Sequence, residues 1–260
     1  MTPTNGRYNL MELMVYVAAH QLEDGRTAVI GTGMPLAAAM LAQKTTAPRL
    51  IVMCEAGSAA PELVKLPISV ADSYTHTRAL LHSSMAEIME SCQRGMVDYT
   101  FLGGAQIDMY GNLNTTMIGS DYDHPKVRLP GSGGANDLAS FCWKTLVITP
   151  HDTRRFVEHL DFLTTPGYLG GPGAREAAGL PPGGGPYKVI STLALMGYNS
   201  VTKRMTVESL HPGVTKQNVI DNTGFEMCFV DPLPVTPEPS NEELRILREE
   251  VDPERIIIGK

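Results

Sequence analysis

Glu55 closes an apolar run, Leu50-Ile51-Val52-Met53-Cys54, and is followed by the small residues Ala56, Gly57 and Ser58. A carboxylate set at the end of a buried strand, with neighbours that let a substrate approach closely, is well placed for chemistry; a surface glutamate ending a strand fits the same pattern. Gln106 has a similar position, just past the apolar run 97–102 and Gly103-Gly104-Ala105. Two glycine clusters could add backbone N–H donors. Gly31-Thr32-Gly33, ahead of a helix, suits either a phosphate or thioester cradle or a plain tight turn. Gly131-Ser132-Gly133-Gly134-Ala135 runs directly into an apolar helix at 138–141, which favours a loop aimed at an oxyanion over a flexible linker.

Other chemistries find less support. Cys54, Cys92, Cys142 and Cys228 are far apart with no CxxC pair, and the seven histidines form no HxxxH or HxH arrangement, so neither a disulfide framework nor a metal site is expected. Alternation of faces along the strand turns Cys54 away from Glu55, as a buried thiol.

The elements that must position these residues follow from periodicity. Asn9 and Glu12 have capping-box spacing and open a helix that ends near Asp24-Gly25. A strand at 27–30, a helix at 36–44 and the strand leading to Glu55 make a βαβ unit, whose parallel pairing brings the Gly31 loop and Glu55 to one sheet edge. Further on come a helix at 84–94 with Met85, Ile88, Met89 and Cys92 on one core-facing side, and the strand 97–102. A turn over Asp108–Asn112 then returns as a hairpin strand at 113–118. Later elements are a strand at 145–149, an ordered Gly/Pro-dense excursion at 164–186, and a strand at 187–196 with a hairpin through Asn199. A helix capped by Ser240 and Glu243 runs to about Glu250. The class is α/β: an open, mostly parallel sheet flanked by helices, with added β hairpins, taken as one domain over 1–260.

With 260 residues and 43% hydrophobic content the chain can bury a substantial core. A net charge of -7 argues against nucleic acid or an anionic membrane as partner. A polar amino terminus and the lack of a long apolar stretch point to a cytoplasmic protein.

GTGMPL after the first strand, the strand ending in Glu55, GGAQID with YGN, GSGGAND, HPGV and NTGF occur in an order that resembles the β subunit of class I CoA-transferases, the glutaconate type above all. The resemblance covers about residue 9 to the C-terminal helix. It implies that Glu55 is a nucleophile forming a glutamyl-CoA thioester, that Gln106 and the Gly133 and Gly134 amides are oxyanion donors, and that Gly31, Thr32, Gly33, Gly104, Ala105 and Ala135 contact CoA or substrate. It also implies a homologous α subunit as partner in an α2β2 or larger assembly, acyl-CoA and a carboxylic acid as substrates, and coenzyme A as a substrate with no tightly bound cofactor. His124, Lys126 and Arg128 would then face a carboxylate or CoA phosphate, or remain solvated loop charges. A CoA-ester hydrolase or decarboxylase on the same fold, and a non-catalytic CoA-ester-binding chain, are the alternatives.

Overall fold

In the computed structural model, which describes residues 6–259, Asn9 and Glu12 close the capping box that their spacing predicts. The Asn9 side chain accepts from the Glu12 N–H at 2.9 Å and Glu12 Oε2 accepts from the Asn9 N–H at 2.8 Å, starting α1 (Leu10–Ala19). Then come β1 (Thr27–Val29), α2 (Met34–Lys44), β2 (Ile51–Cys54), β3 (Ser58–Ala59), β4 (Leu81–His82), α3 (Met85–Gln93) and β5 (Tyr99–Leu102). β1 pairs in parallel with both β2 and β5, while β3 and β4 add antiparallel pairing at the edge beyond β2. Ala37, Ala38, Ala39 and Ala42 on α2 are fully buried, short side chains that let the helix lie close to its neighbours.

From Val52 onward the strand before Glu55 is buried on both faces, by Val52 and Cys54 on one and Met53 on the other, and only Ile51 at its start is exposed, at 40%. One expectation for this part is corrected. On α3 the core stripe contracts to Ile88 and Cys92, while Met85, in the first turn, is exposed.

The chain divides into two compact units, Met1–Phe101 with Pro237–Lys260, and Leu102–Thr236. The second unit begins with the short hairpin β6 (Gln106–Ile107) and β7 (Leu113–Asn114), and a second one, β8 (Met117–Ile118) and β9 (Val127–Arg128). It continues with α4 (Ala135–Phe141), β10 (Lys144–Thr149), α5 (Ala174–Ala177), β11 (Gly185–Ser191), β12 (Ala194–Tyr198), β13 (Met205–Leu210), α6 (Lys216–Asp221) and β14 (Cys228–Phe229). β10 and β11 are parallel, β11–β12–β13 antiparallel and β13–β14 parallel. The fold is thus the expected α/β class: an open sheet with parallel cores, flanking helices and added hairpins.

Residues 187–196 are two strands rather than one. Ser191 Oγ accepts from the Leu193 and Ala194 N–H groups at 3.2 and 3.1 Å and so forms a side-chain turn with neither glycine nor proline. The chain returns to the first unit with α7 (Asn241–Ile246), capped by Ser240 and Glu243 as expected. Just beyond it, Arg248 donates to Glu12 Oε1 and Oε2 at 2.6 and 2.9 Å. Burial would raise the Glu12 pKa, but the bonds from Arg248 and the Asn9 N–H outweigh it and hold the carboxyl below its ordinary value.

The excursion at 164–186 is ordered, and two side chains explain why. Asn112 accepts from the Gly167 and Leu169 N–H groups at 2.7 and 3.0 Å. Arg175, 1% exposed, donates to the carbonyls of Pro166 and Gly167 and to those of Ala139 and Ser140 at the carboxyl end of α4. A cation there satisfies carbonyls the helix leaves open and opposes its dipole. Arg175→Ala is expected to cost roughly 3 kcal/mol in urea unfolding, because buried acceptors are left without a donor; a loss within error would show that the excursion is held by other contacts.

The core of the same unit also hides two imidazoles. His151, 6% exposed, bonds to Ser191 and Thr223 hydroxyls at 2.9 and 3.0 Å and stacks on Phe156 with centroids 3.8 Å apart. His211, of the HPGV motif, is fully buried between the Thr236 hydroxyl and the Ser191 carbonyl. Burial lowers both pKa values from 6.5 to about 4. Below pH 6.5 the unfolded chain takes up protons that the folded chain refuses until about pH 4, so stability is complete above the first value and falls as pH drops toward the second. Between pH 7 and pH 5 the expected loss is about 2 kcal/mol per histidine. Urea midpoints at the two pH values check this, and midpoints that coincide would contradict it.

Candidate active site

Glu55 is the first residue past β2, in a three-residue turn, Glu55-Ala56-Gly57, that leads straight into β3 with Cys54 opposite Ser58. The Gly57 N–H closes the turn on the Cys54 carbonyl at 3.0 Å. Gly57 has φ +118°, and its carbonyl accepts from the Ser83 N–H and hydroxyl at 2.7 and 3.1 Å. A Cβ at this position would lie 2.3 Å from the Ser83 carbonyl oxygen, so glycine is required by close backbone approach as well as by φ. The Glu55 side chain is half-buried and its carboxylate has no hydrogen-bond partner among the described residues. A nucleophile needs lone pairs not already engaged, and this carboxylate keeps them.

Cys54, next to it, is 3% exposed, and burial raises its thiol pKa against a smaller opposing effect of the Ser58 hydroxyl. That is an inert structural thiol.

Because β1 and β2 are parallel, the Gly31-Thr32-Gly33 loop leaves the sheet at the same edge as Glu55. Gly33, φ +86°, is the N-cap of α2, and Pro35 in the first turn follows the helix-start pattern. Thr32 and Gly33 line a cavity of about 150 Å³ with Leu66, Pro67, Ile68, Ile256 and Ile257.

In the second unit, Gln106 is 6% exposed and its orientation is fixed by its partners. Oε1 accepts from the Asn114 amide at 2.7 Å and from the Asp161 N–H at 3.0 Å. Asn114, fully buried, also donates to the Met117 carbonyl at 2.6 Å and accepts from the Thr116 and Met117 N–H groups. Donors on Oε1 leave Nε2 as the outward atom of Gln106, and among the described residues it has no acceptor. Gly104 and Ala105 precede it, the Ala105 N–H bonding to the Asn114 carbonyl at 2.9 Å.

Thr115, next in the chain after Asn114, ties this hairpin to the second glycine cluster. Its hydroxyl donates to the Gly131 carbonyl at 2.9 Å and its carbonyl accepts from the Gly131 N–H at 2.9 Å. Gly133 (φ +50°) and Gly134 (φ -79°) follow, a left-handed then right-handed pair that turns successive N–H groups to one side. Neither N–H has a partner among the described residues, whereas the Ala135 N–H is taken by the Ser132 carbonyl at 3.0 Å.

Unit one therefore gathers Glu55 and the Gly31–Gly33 loop at one edge, and unit two gathers Gln106 and the Gly131–Ala135 loop. Asn114, Thr115 and Asp161, which hold the latter pair in place, were not singled out by the sequence; the polar run Asn114-Thr115-Thr116 inside an expected strand was the signal. Arg128 is engaged locally, with its guanidinium 4.6 Å from the Tyr122 ring centroid and bonded to the Tyr122 carbonyl. Asp108 accepts from Asn112 and from the Tyr110 N–H, so both Asp108 and Asn112 are turn formers as expected.

Comparison with known proteins identifies the family. The family described as Coenzyme A transferase matches residues 12–222. The chain is 39% identical to the B subunit of 3-oxoadipate CoA-transferase from Pseudomonas knackmussii over 93% of its length and 92% of the relative's. It is 35% identical to the B subunit of glutaconate CoA-transferase from Acidaminococcus fermentans over 96% of its length and 95% of the relative's. The crystal structure of the Acidaminococcus fermentans glutaconate coenzyme A-transferase superposes with a TM-score of 0.92 at 32% identity, covering all of both chains. The match spans most of the chain, and this protein belongs to the coenzyme A transferase family, alongside relatives named as B subunits of CoA-transferases.

Proposed function

We propose that the chain is the part of an acyl-CoA:carboxylate CoA-transferase that carries the nucleophile, Glu55, and works by ping-pong chemistry through a glutamyl-CoA thioester. The observation that carries this reading is the Glu55 turn: an unengaged carboxylate on a backbone locked by Gly57 and Ser83. A Glu55 oxygen attacks the thioester carbonyl of the donor, CoA leaves as thiolate, and a mixed anhydride remains. The thiolate then attacks the glutamyl carbonyl and releases the donor acid, leaving the enzyme thioester. The acceptor carboxylate runs the same steps backwards.

Gln106 Nε2 and the Gly133 and Gly134 N–H groups are the oxyanion donors in this scheme, consistent with their unfilled hydrogen-bonding capacity. Gly31, Thr32, Gly33, Gly104, Ala105 and Ala135 are assigned to contacts with CoA or substrate. CoA is a substrate here and no tightly bound cofactor takes part. The relatives' names favour a glutaconate-like dicarboxylate as the acid.

A homologous α subunit is the partner, in an α2β2 or larger assembly. Both relatives are named as B subunits, and Val64, Ile68, Val70, Leu80 and Leu81 expose apolar surface on one excursion of the first unit. No helix of the described residues is long and apolar enough to cross a membrane, and the cytoplasm is the compartment we assign.

The test is chemical trapping. The chain, purified with its partner and incubated with an acyl-CoA alone, should gain a CoA-sized adduct at Glu55, located by mass spectrometry and cleaved by hydroxylamine or borohydride. Steady release of free acid with no adduct would replace the transferase with a CoA-ester hydrolase.

A further inference from the structure

Gln106 and Asn114 are register partners on β6 and β7, so their side chains lie beside each other on one face of the hairpin. Both are amides and both are buried. An amide has a donor end and an acceptor end of almost the same shape, so packing alone does not decide which way either one points. Hydrogen bonding does. The Thr116 and Met117 N–H groups donate to one atom of the Asn114 side chain, at 3.0 and 3.3 Å, and only its oxygen can accept them. Nδ2 is left on the other side, where it donates to the Met117 carbonyl at 2.6 Å and to Gln106 Oε1 at 2.7 Å.

The Asp161 N–H makes the same demand from another part of the chain, donating to Gln106 Oε1 at 3.0 Å. Asp161 is itself held, since its carboxylate accepts from the Gly119 N–H at 2.9 Å. A half-turn of the Gln106 amide would break both bonds and set Nε2 against two donors. The backbone N–H groups of Thr116 and Met117 thus fix the polarity of Asn114, and Asn114 passes it on to Gln106. Gln106 also forms one wall of a cavity of about 550 Å³ together with Ile118, Val127 and Leu129, and apolar surroundings strengthen the bond that an outward donor makes.

We propose that Asn114 is a positioning residue that sets the polarity of the Gln106 amide, so that a donor and not an acceptor faces the reacting acyl group. This deepens the transferase reading and rests on it in one respect: the outward atom of Gln106 is an oxyanion donor. Asn114→Asp separates polarity from shape. An ionised carboxylate still accepts from the Thr116 and Met117 N–H groups, but its second oxygen then faces the Met117 carbonyl and Gln106 Oε1. Gln106 regains a bond to it only by turning over, which points Oε1 outward. A protonated carboxyl group, by contrast, donates to Oε1 as Nδ2 does and restores the original orientation.

The test is the rate of Glu55 adduct formation from an acyl-CoA, per folded molecule of the complex with its partner, in Asn114→Asp and in wild type. Their ratio, followed from about pH 6 to about pH 9, cancels pH effects common to both. At the alkaline end the variant should be roughly a hundredfold slower, the scale of losing one oxyanion donor, with the KM for acyl-CoA little changed. Burial raises the pKa of the introduced carboxyl group, so the ratio should recover at least about tenfold toward the acid end. A ratio that stays low at every pH would make Asn114 a structural residue only, and a ratio near one throughout would give it no role; either overturns the proposal. Asn114→Ala, which leaves Gln106 to Asp161 alone, should be about tenfold slower at every pH, and an unchanged rate would overturn the proposal as well. Failure of the transferase reading looks different: no adduct forms in wild type, while the same pH-dependent ratio appears in the release of free acid.

Discussion

Glu55→Ala and Glu55→Gln, purified with the partner chain, are expected to lose at least about a thousandfold in transfer while folding normally. Neither an amide nor a methyl group can form the anhydride, and every later step needs it. Glu55→Asp tests geometry rather than chemistry. It keeps the carboxylate but withdraws it by a methylene, and a displacement of that size at a reacting atom costs about a hundredfold. Thermal unfolding should change little in all three, since the wild-type carboxylate has no hydrogen-bond partner to lose among the described residues. Near-normal turnover by Glu55→Ala would falsify the nucleophile role.

Gly57→Ala should do comparable damage without touching the reacting group. The added Cβ would sit 2.3 Å from the Ser83 carbonyl oxygen and 2.9 Å from its carbon, in backbone at φ +118°, so relief must come from moving one strand end or the other. We expect a loss of roughly 2 kcal/mol in stability, from strain of this kind, and about a hundredfold slower adduct formation as the turn shifts. The two readouts separate the causes. If stability drops and the adduct rate per folded molecule does not, Gly57 holds the fold and has no part in aiming Glu55.

The positions of both catalytic candidates were legible because they depend on local pattern. A short apolar run that halts at Glu55, and a second that halts before Gly103-Gly104, mark strand ends whatever the tertiary structure. Capping boxes at Asn9 and Ser240 depend on three-residue spacing alone, and both formed. What the sequence did not disclose depends on partners far along the chain. His151 and His211 are neutral and buried because Ser191, Thr223 and Thr236 meet them, 25 to 72 residues away for the side-chain partners. Arg175 resembles a surface arginine until α4 offers it two open carbonyls. The Ser191 turn was missed because a hydroxyl, rather than glycine or proline, reverses the chain there. Met85 fits the periodicity of its helix but lies in its first turn, exposed, which no period reveals.

The Glu55-bearing unit is assembled from both termini, Met1–Phe101 and Pro237–Lys260, whereas the other is one continuous stretch. During translation every residue of the continuous half is joined to the chain before Arg248 is. Until then the Glu12 carboxylate has no guanidinium, and the first helix lacks the contact that later fastens it to the carboxyl-terminal one. A chain cut before residue 237 therefore keeps every partner of the Gln106 hairpin and loses the guanidinium that fastens the first helix of the Glu55 unit.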